Sequence, residues 1–337
     1  MIKKILLAII TSIFMLTAVS CSIGEGTTKK YLDAMQKTEK ADSYRQSSKL
    51  TLNLDLSKAT EKTKKDLEKY KDITVNIDES VDDKNKISMS DQFLKAGDIS
   101  FNIRQYINGD TVYLKFPDDS NKYIKIDLQD RINANAANEK VSNEFYQKTY
   151  KIWEDFARNE LITDEGEAIE NTADGDIKVT LLTIKLTDDK AKGVLAKIAD
   201  VLSKDEAMKK SLMENQKMYN KSSTKDAETN KKVEEVFDNL PQYFEKYKDK
   251  VVVEDLKLTA KVDRDSYIIS QVISGTISIK VDGEIKVKFE MNSVKSDINT
   301  GKIKIKIPDE VISNAVKLDE SNFSNPEYMK KMFGNNK

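Results

Sequence analysis

The feature that most constrains this chain is a two-residue alternation of apolar and polar side chains, found in two blocks far apart in the sequence. In the first block, Tyr44, Leu50, Leu52, Leu54 and Leu56 alternate with Arg45, Lys49, Thr51, Asn53 and Asp55, the period of a β-strand with one wet face. The pattern resumes at Ile73, Val75 and Ile77, at Ile87 and Met89, at Ile99, Phe101, Ile103 and Ile107, and at Val112, Leu114 and Phe116. Asn108-Gly109 supplies a hairpin turn, since both residues accept positive φ, and a polar turn over 117–122 leads into another strand at 123–128. The second block runs through Leu256, Leu258, Ala260 and Val262, then Tyr267, Ile269, Ile273, Ile277 and Ile279, then Ile285, Val287, Phe289 and Met291, and ends at Ile303, Ile305 and Ile307. These are antiparallel meanders, and one apolar face per strand predicts a sheet covered on one side only.

Helical periodicity dominates between the blocks and at their edges. Residues 28–42 place Tyr31, Leu32 and Met35 on one side. Val141, Phe145, Ile152, Trp153 and Phe156 predict an amphipathic helix over 137–158. A strand is expected near 177–186, followed by a helix capped by Asp188 or Asp189. Val233, Val236, Phe237, Leu240 and Phe244 mark another helix, which Pro241 should kink or restart. Asn325 and Pro326 open a small closing helix. Strands, then helices, then strands predict a single α+β domain in which both meanders join one large sheet.

The amino terminus reads as an address. Lys3 and Lys4 precede an apolar run from Ile5 through Ala18 that is too short to span a bilayer comfortably, the pattern of a secretory signal. Ala18, Val19 and Ser20 then lead to Cys21, the only cysteine in the chain. That order resembles the bacterial lipobox, with Ala18 where Leu is commoner; the alternatives are a buried free cysteine or an ordinary signal peptide with an incidental cysteine. The lipobox reading makes residues 1–20 a lipoprotein signal peptide, Cys21 the lipidation site (diacylglyceryl, with palmitate as a typical chain), 21–27 a spacer and 28–337 the folded domain. Two or more acyl chains hold a protein stably on a membrane, so the expected location is the extracytoplasmic face of the cell membrane, with a Gram-positive source suggested by the absence of any further thiol.

Composition narrows the chemistry. The chain has 56 basic and 57 acidic residues; loss of Lys3 and Lys4 with the signal leaves 54 against 57, a net charge of −3. No basic footprint for nucleic acid results. Histidine is absent, which removes the commonest general base and the usual partner of a catalytic Ser or Cys. Ser222 and Lys225 form a Ser-x-x-Lys in a polar stretch without its companion motifs. Asp174, Gly175 and Asp176 mimic the start of a calcium loop, but Leu181 stands where the bidentate Glu is required. The expectation is a non-catalytic protein without cofactor or metal.

With these elements placed, the chain resembles the LolA, LolB and LppX half-barrel lipoprotein superfamily, and especially its Gram-positive LppX-like members. The resemblance spans roughly Thr28 to Val311 and rests on "YLDAMQKTEKADSY" leading into "RQSSKLTLNLDL", on "NGDTVYLKF", and on the closing "DRDSYIISQVISGTISIKVDGEIKVKFEMNSVKSDINTGKIKIKIPDEV". It implies a large curved antiparallel sheet, a half-barrel, with helices packed on its concave side around an apolar cavity. Leu52, Leu54, Phe101, Ile103, Ile277 and Phe289 are the candidate wall. Met208 and Leu212, with Met213 and Met218, are candidate lining on the central helices, Met side chains being adaptable around varied ligands. Stripes of this kind either fill a solid core or line a cavity. Two functions follow: a membrane-anchored binder or carrier of a lipid-like apolar ligand, or a lipoprotein that docks on another envelope protein such as a cell-wall enzyme.

Overall fold

The structure, a computed structural model, describes residues 26–115, 123–127, 148–149, 151–158, 162–173, 175–206, 209, 235, 237–281 and 283–317. Its strands are β1 (Ser43–Asp55), β2 (Asp72–Asp82), β3 (Ile87–Ala96), β4 (Ile99–Asn108), β5 (Thr111–Lys115), β6 (Tyr123–Asp127), β7 (Thr163–Thr172), β8 (Gly175–Leu186), β9 (Val251–Asp263), β10 (Ile268–Ile279), β11 (Ile285–Ser296) and β12 (Ala315–Lys317). The helices are α1 (Gly26–Glu39), α2 (Glu61–Leu67), α3 (Asp188–Ser203), α4 (Leu240–Tyr247) and α5 (Asp309–Ser313).

All the named strands form one 12-stranded sheet in the order β12-β6-β5-β4-β3-β2-β1-β11-β10-β9-β8-β7. Every neighbouring pair is antiparallel except β12, which lies parallel to β6. The two sequence blocks are joined by β1 and β11, whose register sets Leu50 opposite Met291, Leu52 opposite Phe289 and Leu54 opposite Val287. The result is an α+β fold built on one curved, open sheet. Its curvature is strong at the β7 end: Cα atoms of β7 and β11 come within 8 Å, although four strand spacings of ~4.8 Å would hold them about 19 Å apart on a flat sheet.

The concave face carries the main core. Tyr31, Leu32, Ala34 and Met35 of α1 pack with Trp153, Ala157 and Ala191 onto the apolar phase of β1, β11, β10, β9 and β8. One hydroxyl fixes the end of α1: Thr38 Oγ1 donates to the Ala34 carbonyl at 2.7 Å and accepts the Ile268 N–H, also at 2.7 Å. A bulge in β9 at Asp255, with φ of 54°, switches the inward phase from Val253 to Leu256, Leu258, Ala260 and Val262, so all five are buried. Opposite that bulge lies Gly275, where an added Cβ would stand 3.1 Å from the Phe289 ring; the missing side chain leaves room for that ring.

The sheet is not covered on one side only. A second core, of Tyr106, Tyr113, Tyr123, Ile307 and Val311, lies on the convex face of β4 to β6. The register explains it. Leu50 on the concave face is in phase with Val75, Leu94 and Phe101, so the next phase, Met89 and Tyr106, points the opposite way. The expected strand through Ile303, Ile305 and Ile307 is likewise absent: 302–308 pairs with no strand among the described residues, burying Ile303 and Ile307 with alternate residues outward before α5 adds Val311.

Smaller elements also differ from the sequence reading. The β4–β5 turn residues are Gly109 and Asp110, since Asn108 pairs with Thr111, and only Gly109 has positive φ, at 54°. Thr187 occupies the N-cap position of helix α3 without a side-chain capping bond, and Asp188 accepts the Val253 N–H at 2.8 Å and pairs with Lys192 at 2.7 Å. Pro241 stands in the first turn of α4, a new start rather than a kink. Of the helix expected over 137–158, residues 151–158 are helical; the rest, apart from 148–149, and the closing helix at Asn325 lie outside the described residues.

Candidate ligand-binding face

The registers of β11, β1, β2, β3 and β4 set the concave face out in rows. One row holds Phe289, Leu52, Ile73, Ala96 and Ile99, and the next holds Met291, Leu50, Val75, Leu94 and Phe101. A third holds Ser293, Ser48, Ile77, Gln92 and Ile103, and a fourth Lys295, Gln46, Glu79, Ser90 and Gln105. Each step along the strands is two residues, about 7 Å. Over these four rows the face passes from apolar through mixed to polar, and the next row, Tyr44, Val81, Ser88 and Ile107, closes it with mixed side chains.

Cover differs across the rows. Leu52, Leu50, Phe289 and Met291 are buried beneath the helices, whereas Ile73 and Val75 are half-buried at the margin of that core. Farther out, Phe101 is 37% and Ile99 54% exposed. Accordingly, the sequence candidates separate into groups. Leu52, Leu54, Ile277 and Phe289 are packed in the closed core; Ile103 and Phe101 lie on the same concave face, beyond that core on β4. Met208, Leu212 and Cys21 lie outside the described residues. The alternation marks which face a side chain takes, and the helices decide which stretch of that face is sealed.

The polar row was missed at the sequence level, although its signal was present. Glu79 continues the phase of Ile73, Val75 and Ile77, and Lys295 continues that of Val287, Phe289 and Met291, so both are charged side chains at inward positions. The Lys295 ammonium sits 3.6 Å from the centroid of the Tyr44 ring, a cation–π contact. Burial lowers the lysine to about 8, which Glu79 partly opposes. Burial likewise raises Glu79 against the pull of Lys295. Tyr44 is raised to about 12, mainly by burial and then by Glu79 and Asp83. Neither the Lys295 ammonium nor the Glu79 carboxylate makes an ion pair within 4.0 Å or a hydrogen bond to any described residue. Beside them, Gln46 Nε2 donates to Ser48 Oγ at 2.9 Å, which donates to Ser293 Oγ at 3.0 Å, and Gln92 Nε2 donates to Ser90 Oγ at 3.3 Å.

Among the described residues, no group of three or more His, Cys, Asp or Glu is arranged to hold a metal ion, and no helix is long and apolar enough to cross a membrane.

No protein-family model matches the chain, and no curated protein matches it. Among solved structures it is similar to a beta-barrel-like protein of a domain of unknown function from Brucella abortus, with 7% identity over 76% of this chain and 100% of that one, at a TM-score of 0.19. Agreement that loose bears on neither the site nor its chemistry.

Proposed function

We propose that the protein is a non-catalytic, lipid-anchored lipoprotein of the LolA/LppX half-barrel type that binds or carries a lipid-like apolar ligand on the extracytoplasmic face of the membrane. The observation that carries this reading is the continuity of the apolar rows: they leave the sealed core at Leu50 and Leu52, cross Val75 and Ile73, and end at Phe101 and Ile99 in the open. A concave, largely apolar wall with a few convergent polar groups is what such ligands require. The exposed Ile99 and Phe101 also favour a second reading, docking on another envelope protein, since exposed apolar patches mark interaction sites.

The mature chain without its anchor, purified from cells and examined by native mass spectrometry, is expected to carry bound lipid. Bare polypeptide under gentle ionisation, together with capture of a stoichiometric envelope protein, moves the assignment to docking. Replacing Cys21→Ala is expected to abolish acylation and leave the product uncleaved or shed; membrane retention of a correctly processed mutant removes the anchor from the proposal.

A further inference from the structure

We propose that the row formed by Lys295, Gln46, Glu79, Ser90 and Gln105 is the polar end of the ligand site, and that it takes the head of an acyl lipid bearing hydroxyl groups, such as a glycerol or sugar. The proposal rests on the ligand-binding reading above and adds its polarity and direction. The row crosses five adjacent strands, one residue from each, and faces the same way as the apolar rows. Its distance from the row of Ile73 and Ile99 is six residues along the strands, about 20 Å, the span of an extended long acyl chain.

Two facts argue that this row has a use beyond closing the sheet. Inward positions two strand repeats away are Leu50, Val75 and Leu94, so the fold accepts apolar residues in that phase. Withdrawing a carboxylate and an ammonium from water is unfavourable unless partners replace the lost hydration; Lys295 has the Tyr44 ring and the two charges attract each other across the row, but neither has a side-chain hydrogen bond or close ion pair among the described residues. Gln46 and Ser90 spend part of their hydrogen-bonding capacity on Ser48 and Gln92, whereas that of the Lys295 ammonium and the Glu79 carboxylate is left over.

The kind of head follows from the charges. Lys295 and Glu79 stand in one row on either side of Gln46, so the row has no net charge. A bare carboxylate or phosphate placed against Lys295 would meet Glu79 at close range. Hydroxyl groups both donate and accept: they can donate to Glu79 and accept from Lys295 and from the amides of Gln46 and Gln105.

The test uses the mature chain loaded with an acyl-chain fluorophore, displaced in parallel by 1-monomyristoylglycerol, myristate and methyl myristate, which share a tail and differ in the head. The monoacylglycerol is expected to displace at least about tenfold more tightly than the other two, equivalent to one well-placed hydrogen bond of about 1.4 kcal/mol. Lys295→Met and Glu79→Gln should each remove most of that preference while leaving methyl myristate unchanged, and Lys295→Arg should keep it. Because methyl myristate reports the tail site in every variant, a folding defect would show as loss of all three probes; in that event Gln46→Leu, which leaves both charges in place, is expected to halve or more the preference. Equal displacement by all three probes in the parent chain, or a preference that survives both Lys295→Met and Glu79→Gln, overturns the polar-end assignment and leaves the carrier reading intact. Failure of the parent chain to bind the fluorophore or any probe overturns both.

Discussion

The two halves of the sheet use the same strand chemistry for different ends. From β1 through β11 to β8, the apolar stretch of the concave phase, up to Leu50 and Met291, is sealed under α1, residues 151–158 and α3, and Leu54, Ile279, Ile285 and Val287 are at most 1% exposed. From β2 to β4 the concave phase is half-buried or open apart from Ser90, and the sealed core of that half, centred on Tyr106, Tyr113 and Tyr123, lies on the convex side. A strand phase that would be an ordinary core position in one half is thus left available in the other. Stability is concentrated where the helices lie, and the surface suited to a ligand is concentrated where they do not.

Substitutions can break this contrast. The largest effect is expected from Leu54→Ala, which empties a sealed position and should lower unfolding free energy by about 3 kcal/mol, read by denaturant melts; a loss below about 1 kcal/mol would mean that the β1 side is not the tight half. Val311→Ala should cost about 2 kcal/mol, and hydrogen exchange should accelerate in β6 and β12 more than in β9 and β10; uniform acceleration would merge the two cores into one.

Lys295→Met should raise stability at pH 7 by on the order of 1 kcal/mol, because an ammonium held away from water is replaced by an apolar side chain. Burial brings Lys295 from its ordinary 10.5 down to about 8. Between those values the unfolded chain keeps a proton the folded chain has released, so parent stability should rise with pH across that window. The variant should lose that rise, and melts from pH 7 to 11 check it. The smallest effect is expected at Phe101→Ser, within about 0.5 kcal/mol in melts of ligand-free protein, while fluorophore affinity falls; a melt shift matching that of Leu54→Ala would place Phe101 in a sealed core.

Much of the fold was legible because its signals are local. The phases of β1, β2, β9 and β11, the buried side of α1 and the restart at Pro241 follow from neighbouring residues alone. Strand β7 was not legible: Thr163, Asp164, Glu165 and Glu167 are polar and exposed, as suits an edge strand guarded by charge, and nothing in such a segment announces pairing. The stretch over 302–308, which pairs with no strand among the described residues, shows the converse. Its alternating isoleucines read as a strand, but alternation requires only one face set against the protein, which Ile303 and Ile307 achieve without a ladder. Of the candidate site, the apolar positions were legible, whereas Glu79 and Lys295 were noticed only once their register joined them through Gln46.

The sequence alone determined which side chains share a strand face and which helices are amphipathic, since both depend on the geometry of a few consecutive residues. Tertiary structure decided that β1 meets β11, that the convex side has its own core, and that a lysine and a glutamate more than two hundred positions apart fall in one row. Period is a property of a segment, while neighbourhood is a property of the assembled sheet: hydrogen-bond register and curvature couple distant strands, and no local pattern specifies that coupling.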